Sequence, residues 1–100
     1  MKKLLSLAIL LGAFSVAHAA DIEAGKASYA TCVGCHGATG AGLPAAGYPA
    51  LSGQSAEYIE EQLHAFKSGK RVNPTMNAMA NLLATDQDVA NVAAYIATLK

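Results

Sequence analysis

The chain has 100 residues, seven basic against seven acidic side chains, two cysteines and no tryptophan, and 53% of it is hydrophobic. That length allows one small domain. The balanced charge excludes a partner that must be held by a strongly basic surface, which argues against nucleic acid and against a polybasic membrane contact.

Met1-Lys2-Lys3, the apolar run Leu4 to Val16 and the following Ala17-His18-Ala19 have the three parts of a secretory signal peptide. The run is thirteen residues long, well short of the roughly 20 that a membrane span needs. Cleavage is expected after Ala19, leaving residues 20–100 as one exported domain with no stable membrane insertion. That domain carries five basic and seven acidic side chains, a net charge of −2 with histidines neutral. Alanine and the leader inflate the hydrophobic content, and the whole chain has only six aromatics. So small a domain needs a staple such as a metal or cofactor.

No segment alternates polar and apolar residues long enough for a strand, and alanine dominates the ordered stretches, so the expected fold class is all-α. The first helix is predicted from Asp21, whose carboxylate can cap the first turn, to about Thr31. Residues 37–54, "GATGAGLPAAGYPALSGQ", read as a long loop of successive turns. A loop that long in a small domain is expected to be ordered by a bound partner. A second helix is predicted from Ser55 as cap to Ser68, with Ile59, Leu63 and Phe66 on one face and Gly69 as a left-handed stop. Pro74 then breaks the chain before a short helical turn carrying Met76 and Met79. The last helix starts at Thr85, where Asp88 resembles a capping box, and is predicted to continue nearly to Lys100 with the stripe Val89, Val92, Tyr95, Ile96 and Leu99.

The chemistry concentrates in "ATCVGCHGATGAG", residues 30–42, where Cys32, Cys35 and His36 follow one another. A thioredoxin-like pair requires βαβ units, and no strand is predicted. A zinc site needs a fourth ligand, for which only His64 remains among the other histidines of the exported domain. A disulfide between Cys32 and Cys35 closes too short a loop to stabilise much. Covalent haem attachment uses all three residues: both thiols add to porphyrin vinyl groups and the adjacent imidazole ligates the iron. Haem also supplies the large apolar body that the composition lacks.

With these residues in place, the chain resembles the class I c-type cytochromes, in particular the short periplasmic bacterial branch, over essentially the whole of residues 20–100. Gly25 and Tyr29 are similar to the family's first-helix positions that cross the last helix, where Tyr95 would meet them. "YPALSGQ" resembles the stretch whose proline carbonyl accepts a hydrogen bond from the proximal histidine, which places that role on Pro49, with Tyr48 and Leu51 beside it at the cofactor. "YIEEQLHAFKSGKR" resembles the middle helix, and "NPTMNAMANLLATDQD" the distal ligand segment, in which Met76 is the expected sixth ligand and Met79 the runner-up. The resemblance implies a small cytochrome c fold of three to four short helices around one haem c, with iron held by His36 and methionine.

Such an iron has no open position for a substrate, so the implied function is one-electron transfer between redox proteins in the periplasm by a monomeric carrier. The competing readings are a haem peroxidase-like enzyme, reached if the methionine dissociates, and a haem subunit of a membrane oxidoreductase. Tyr58, Ile59, Leu63 and Phe66 are expected as core or haem packing, and Tyr48 and Gln54 near the propionates. His64 is expected as a partly exposed helix residue, and Lys67, Lys70 and Arg71 as a solvated basic cluster in preference to a docking site or a propionate contact. Residues 37–54 contain no charged side chain, so docking at that loop is expected to rely on apolar contact more than on electrostatic steering.

Overall fold

The computed structural model describes residues 19–100; the expected signal peptide lies, apart from Ala19, outside the described residues. Five α-helical segments follow in order: α1 Ile22–Tyr29, α2 Val33–His36, α3 Ala56–Ser68, α4 Pro74–Asn81 and α5 Asp86–Ile96. A short 3-10 turn at Pro44–Ala46 interrupts the long loop, and an isolated bridge between Leu43 and Tyr48 closes around it. There is no strand among the described residues. None of their helices is long and apolar enough to cross a membrane.

The caps lie where the side chains dictate. Asp21 accepts the Ala24 N–H at 3.0 Å and Ser55 accepts the Tyr58 N–H at 3.1 Å, each satisfying one of the donors a helix start leaves unpaired. Thr85 and Asp88 form a reciprocal capping box at the start of α5. Gly69 ends α3 with φ +79°, the left-handed conformation that a Cβ disfavours. Three boundaries depart from expectation. α1 stops at Tyr29, and a turn through Thr31 leads into the separate single-turn α2 that carries Cys35 and His36. The methionine segment is an eight-residue helix rather than one turn, because Asn73 caps it and Pro74 at its first position has no N–H to leave unpaired. α5 stops at Ile96, where the chain turns so that Leu99 O accepts the Gly53 N–H at 3.2 Å and closes the loop onto the last residues.

The core is built by α1, α3 and α5 together with Leu83: Tyr29, Ile59, Leu83, Val89, Val92, Ala93 and Ile96 pack as one buried cluster. Leu63, Tyr95 and Leu99 lean on it half-buried. α1 and α5 cross at Gly25, and the rings of Tyr29 and Tyr95 meet there with centroids 5.3 Å apart at 54°, a tilted geometry favourable for aromatic pairs. Asn91 is buried in the same crossing. Its Oδ1 accepts the Asp21 N–H at 2.8 Å and the Gln87 amide at 2.7 Å, so its burial leaves no polar atom unsatisfied.

Candidate functional site

Between the loop, α3 and α4 lies a cavity of about 520 Å³, within the range of small-molecule and cofactor sites. Cys32, Cys35 and His36 line one side, Tyr48, Pro49 and Leu51 another, and Met76 and Met79 the part contributed by α4. Ile59, Leu63 and Phe66 from α3 and Val92 and Ile96 from α5 complete an apolar wall continuous with the core. The structure therefore brings together every residue that the sequence singled out for the cofactor. Gln54 and Tyr58 also line it.

His36 is buried, and its Nδ1 stands 2.9 Å from the backbone oxygen of Pro49. A carbonyl can only accept, so Nδ1 carries the proton and Nε2 keeps the lone pair that a metal requires. The loop is built to hold that carbonyl. The Gly42 N–H donates to His36 O at 2.8 Å, and Gly42 has φ +67° with no room for a side chain: a Cβ would come 2.5 Å from Pro49 O. Gly40 accepts from both Leu51 and Ser52 N–H, at 2.7 and 3.0 Å. The glycine-rich composition is thus the condition for folding the loop tightly back on α2.

Both thiols are free and half-buried. Burial, and to a lesser degree the neighbouring Cys35, pushes the Cys32 thiol upward, while a contact with the Thr31 hydroxyl pulls the other way. Tyr29 lies just behind α2, with its hydroxyl donating to Gly37 O at 2.6 Å. Burial first, then Cys32 and Tyr95, raises its phenol above the ordinary value.

The pieces fit a covalently bound haem. Two thiols sit within one helical turn of a buried imidazole in the required tautomer, and thioethers from α4 line the same apolar cavity. His64 is not among the lining residues and stands 3.9 Å from Asp86 Oδ1 on the other side of α3. The basic cluster is solvated in part: Lys70 and Arg71 are exposed. Lys67 is half-buried and its ammonium donates to Leu83 O, because that carbonyl precedes the turn into α5 and has no helical partner. Arg71 donates to Gln62 Oε1 at 2.6 Å, lies 4.6 Å over the Phe66 ring and lines the cavity. Of the three, only Lys70 stays simply solvated among the described contacts. Sequence reasoning also missed Asn77 and Asn91, whose roles depend on partners distant in the chain and leave no periodic signal.

A family model described as Cytochrome c matches residues 22–100. Cytochrome c4 of Pseudomonas aeruginosa is 45% identical over 100 residues, covering 99% of this chain and 49% of its own length. Cytochrome c-554(548) of Halomonas halodenitrificans is 45% identical over 80 residues, covering 77% of this chain and 94% of its own. Among solved structures, reduced recombinant cytochrome c4 from Pseudomonas stutzeri superposes with a TM-score of 0.74 at 30% identity, over 79% of this chain and 48% of that one. The chain spans about half the length of the first curated relatives it matches.

Proposed function

The chain belongs to the cytochrome c family and with it carries covalently bound haem c; on that premise we propose that it is a monomeric one-electron carrier of the bacterial periplasm, its iron held by His36 and Met76. When bound, the haem iron supplies reversible one-electron chemistry. Cys32 and Cys35 tie the macrocycle to α2, and His36 offers Nε2 because Pro49 O engages its other nitrogen. That hydrogen bond fixes the ring's orientation and raises its basicity as a ligand. A methionine thioether held to the iron would favour the ferrous state relative to a second imidazole. The apolar wall of Ile59, Leu63, Phe66 and Val92 disfavours the extra charge of the ferric form. The observation that carries this reading is the buried His36 with its Pro49 contact, on the same cavity as both cysteines and both methionines.

Among the described residues lining the cavity there is no carboxylate and no histidine besides His36, which supports a carrier over a peroxidase that needs a distal acid or base. The partners are redox proteins, a donor and an acceptor, consistent with the uncharged loop around residues 37–54. The signal-peptide pattern of residues 1–19 supports export to the periplasm. Visible spectra of the purified exported protein, oxidised and reduced, combined with a redox titration test the reading. A far-red sulfur-to-iron band in the ferric state and a reversible one-electron wave are expected, with negligible turnover of hydrogen peroxide. Peroxide turnover at enzymatic rates or absence of the band overturns it, and gel filtration checks the monomer.

A further inference from the structure

We propose that Asn77 is the positioning residue that keeps the distal methionine in place, because its side-chain amide locks the Met76 turn of α4 onto the end of α3. This rests on the His36–Met76 reading above. A helix leaves its last carbonyls without partners, and α3 hands two such groups to its surroundings. Ala65 O accepts the Arg71 N–H at 3.0 Å. Phe66 O accepts the Gly69 N–H at 3.3 Å and the Asn77 side-chain amide at 2.8 Å. The same Nδ2 donates to Arg71 O at 2.9 Å, so Asn77 bridges the last turn of α3 and the chain that leaves it.

The other half of the amide faces α4 itself. Asn77 Oδ1 accepts the Asn73 N–H at 2.9 Å, while Asn73 Oδ1 accepts the Met76 N–H at 2.9 Å and Asn73 O accepts the Asn77 N–H at 2.7 Å. Asn73, Met76 and Asn77 are therefore one hydrogen-bonded unit, closed around Pro74. Asn77 does not line the cavity, whereas Phe66, Arg71, Asn73 and Met76 do. Its action on the cofactor runs through Met76. Only a primary amide offers two donors and an acceptor at this place: a carboxylate would face two carbonyl oxygens, and an aliphatic side chain would take away the side-chain partner of Arg71 O and the Asn73 N–H and leave Phe66 O with the Gly69 N–H alone. Moving Met76 away from the cavity by tilting the first turn of α4 requires breaking these bonds.

Imidazole competes with the thioether for ferric iron, exchanging an Fe–S bond for an Fe–N bond with no change of oxidation state, so its apparent affinity reads how firmly Met76 is held. With Asn77→Ala, the dissociation constant of imidazole is expected to fall about tenfold, the scale of one or two lost hydrogen bonds. Asn77→Ser, which puts one hydroxyl in place of the amide and serves as the readout if the alanine variant folds poorly, is expected to lie between alanine and the parent. Asn81→Ala removes an amide that bonds only to Asn77 O within the same helix, and is expected to stay within twofold of the parent. On a Met76→Ala background, Asn77→Ala is expected to change imidazole binding no further, although its thermal stability still drops. An unchanged imidazole affinity in Asn77→Ala or Asn77→Ser, alongside loss of the far-red band in Met76→Ala, overturns the positioning role and leaves the ligation reading intact. Retention of the band in Met76→Ala overturns the ligation reading and this proposal with it.

Discussion

Gly25 and Asn91 meet backbone to backbone: a Cβ built on Gly25 would stand 2.0 Å from the Asn91 carbonyl oxygen and 3.0 Å from Tyr95 Cβ. α1 can approach α5 this closely only because one of the two residues has no side chain. The contact sets the position of Tyr29, which is 2% exposed, and through the Tyr29 hydroxyl the position of Gly37 at the end of the haem-binding turn.

Gly25→Ala is accordingly expected to cost about 3 kcal/mol, the upper range for forcing a methyl group into a filled core, because the obstructing atom is backbone and cannot rotate away. Gly34→Ala is the matched control, since nothing lies within 4 Å of a Cβ there. Guanidinium unfolding of both holo variants checks this: the midpoint should drop for the first and hold for the second. Equal midpoints would remove the crossing from the account of stability.

The His36–Pro49 bond makes a second expectation. Alanine at Gly42 would collide with Pro49 O and must also adopt φ +67°, so Gly42→Ala should displace the carbonyl that orients the imidazole. Weakening the bond from the imidazole to the Pro49 carbonyl changes the ligand's basicity as well as its placement. The reduction potential should shift and the yield of haem-loaded protein should fall, both measurable on the same preparation. A variant with native potential and yield would show that the loop tolerates the side chain without moving Pro49.

Much of this arrangement was legible in the sequence, for identifiable reasons. Caps are local: Ser55, Gly69 and Thr85 each act within a few residues of their own position, so the ends they define could be read from the chain. The C-x-x-C-H motif is equally local, and the buried stripes of α3 and α5 follow from helical spacing. What could not be read was non-local. Lys67 belongs by composition to a basic surface cluster, yet its partner is Leu83 O, sixteen residues away. Asn77 is one polar residue among several in "NPTMNAMAN" until α3 brings two carbonyls to it. The end of α5 was overextended because its stop is made by the tertiary contact between Leu99 and Gly53 and not by a glycine or proline.

Burial raises the Tyr29 phenol above its ordinary value, and the sign of the consequence follows from linkage. The folded phenol holds its proton to a higher pH than the unfolded one, so its contribution to stability is fully present below the unfolded value near 10 and is lost as pH rises through the folded value. Ionisation would also remove the donor to Gly37 O. Tyr29→Phe should cost about 1 kcal/mol at pH 8 through the lost hydrogen bond, and the gap between parent and variant should narrow at pH 11. Urea denaturation at the two pH values measures this, and a gap that stays constant would detach Tyr29 from the alkaline loss of stability.

The distal ligand is expected to be Met76 and not Met79, although both thioethers line the cavity and both residues are half-buried. They sit three positions apart on α4 and so lie on neighbouring turns of one face. What separates them is how each turn is held. The Met76 N–H is capped by Asn73 Oδ1, Pro74 stiffens the entry, and the adjacent Asn77 fastens the turn to α3. Met79 occupies the later turn, beside the buried Ala80 and Leu83, where a flexible thioether serves well as filling between helix and macrocycle. An iron ligand gains from a fixed backbone, because less conformational freedom is lost when the bond forms. Met76→Ala should therefore abolish the far-red band of the ferric protein and lower its potential, while Met79→Ala should keep the band and reduce thermal stability by about 2 kcal/mol, at the low end for truncating a packed methionine. Ferric spectra of the two variants decide the matter: loss of the band in Met79→Ala with its retention in Met76→Ala reverses the assignment, and loss in neither moves the ligand off α4 altogether.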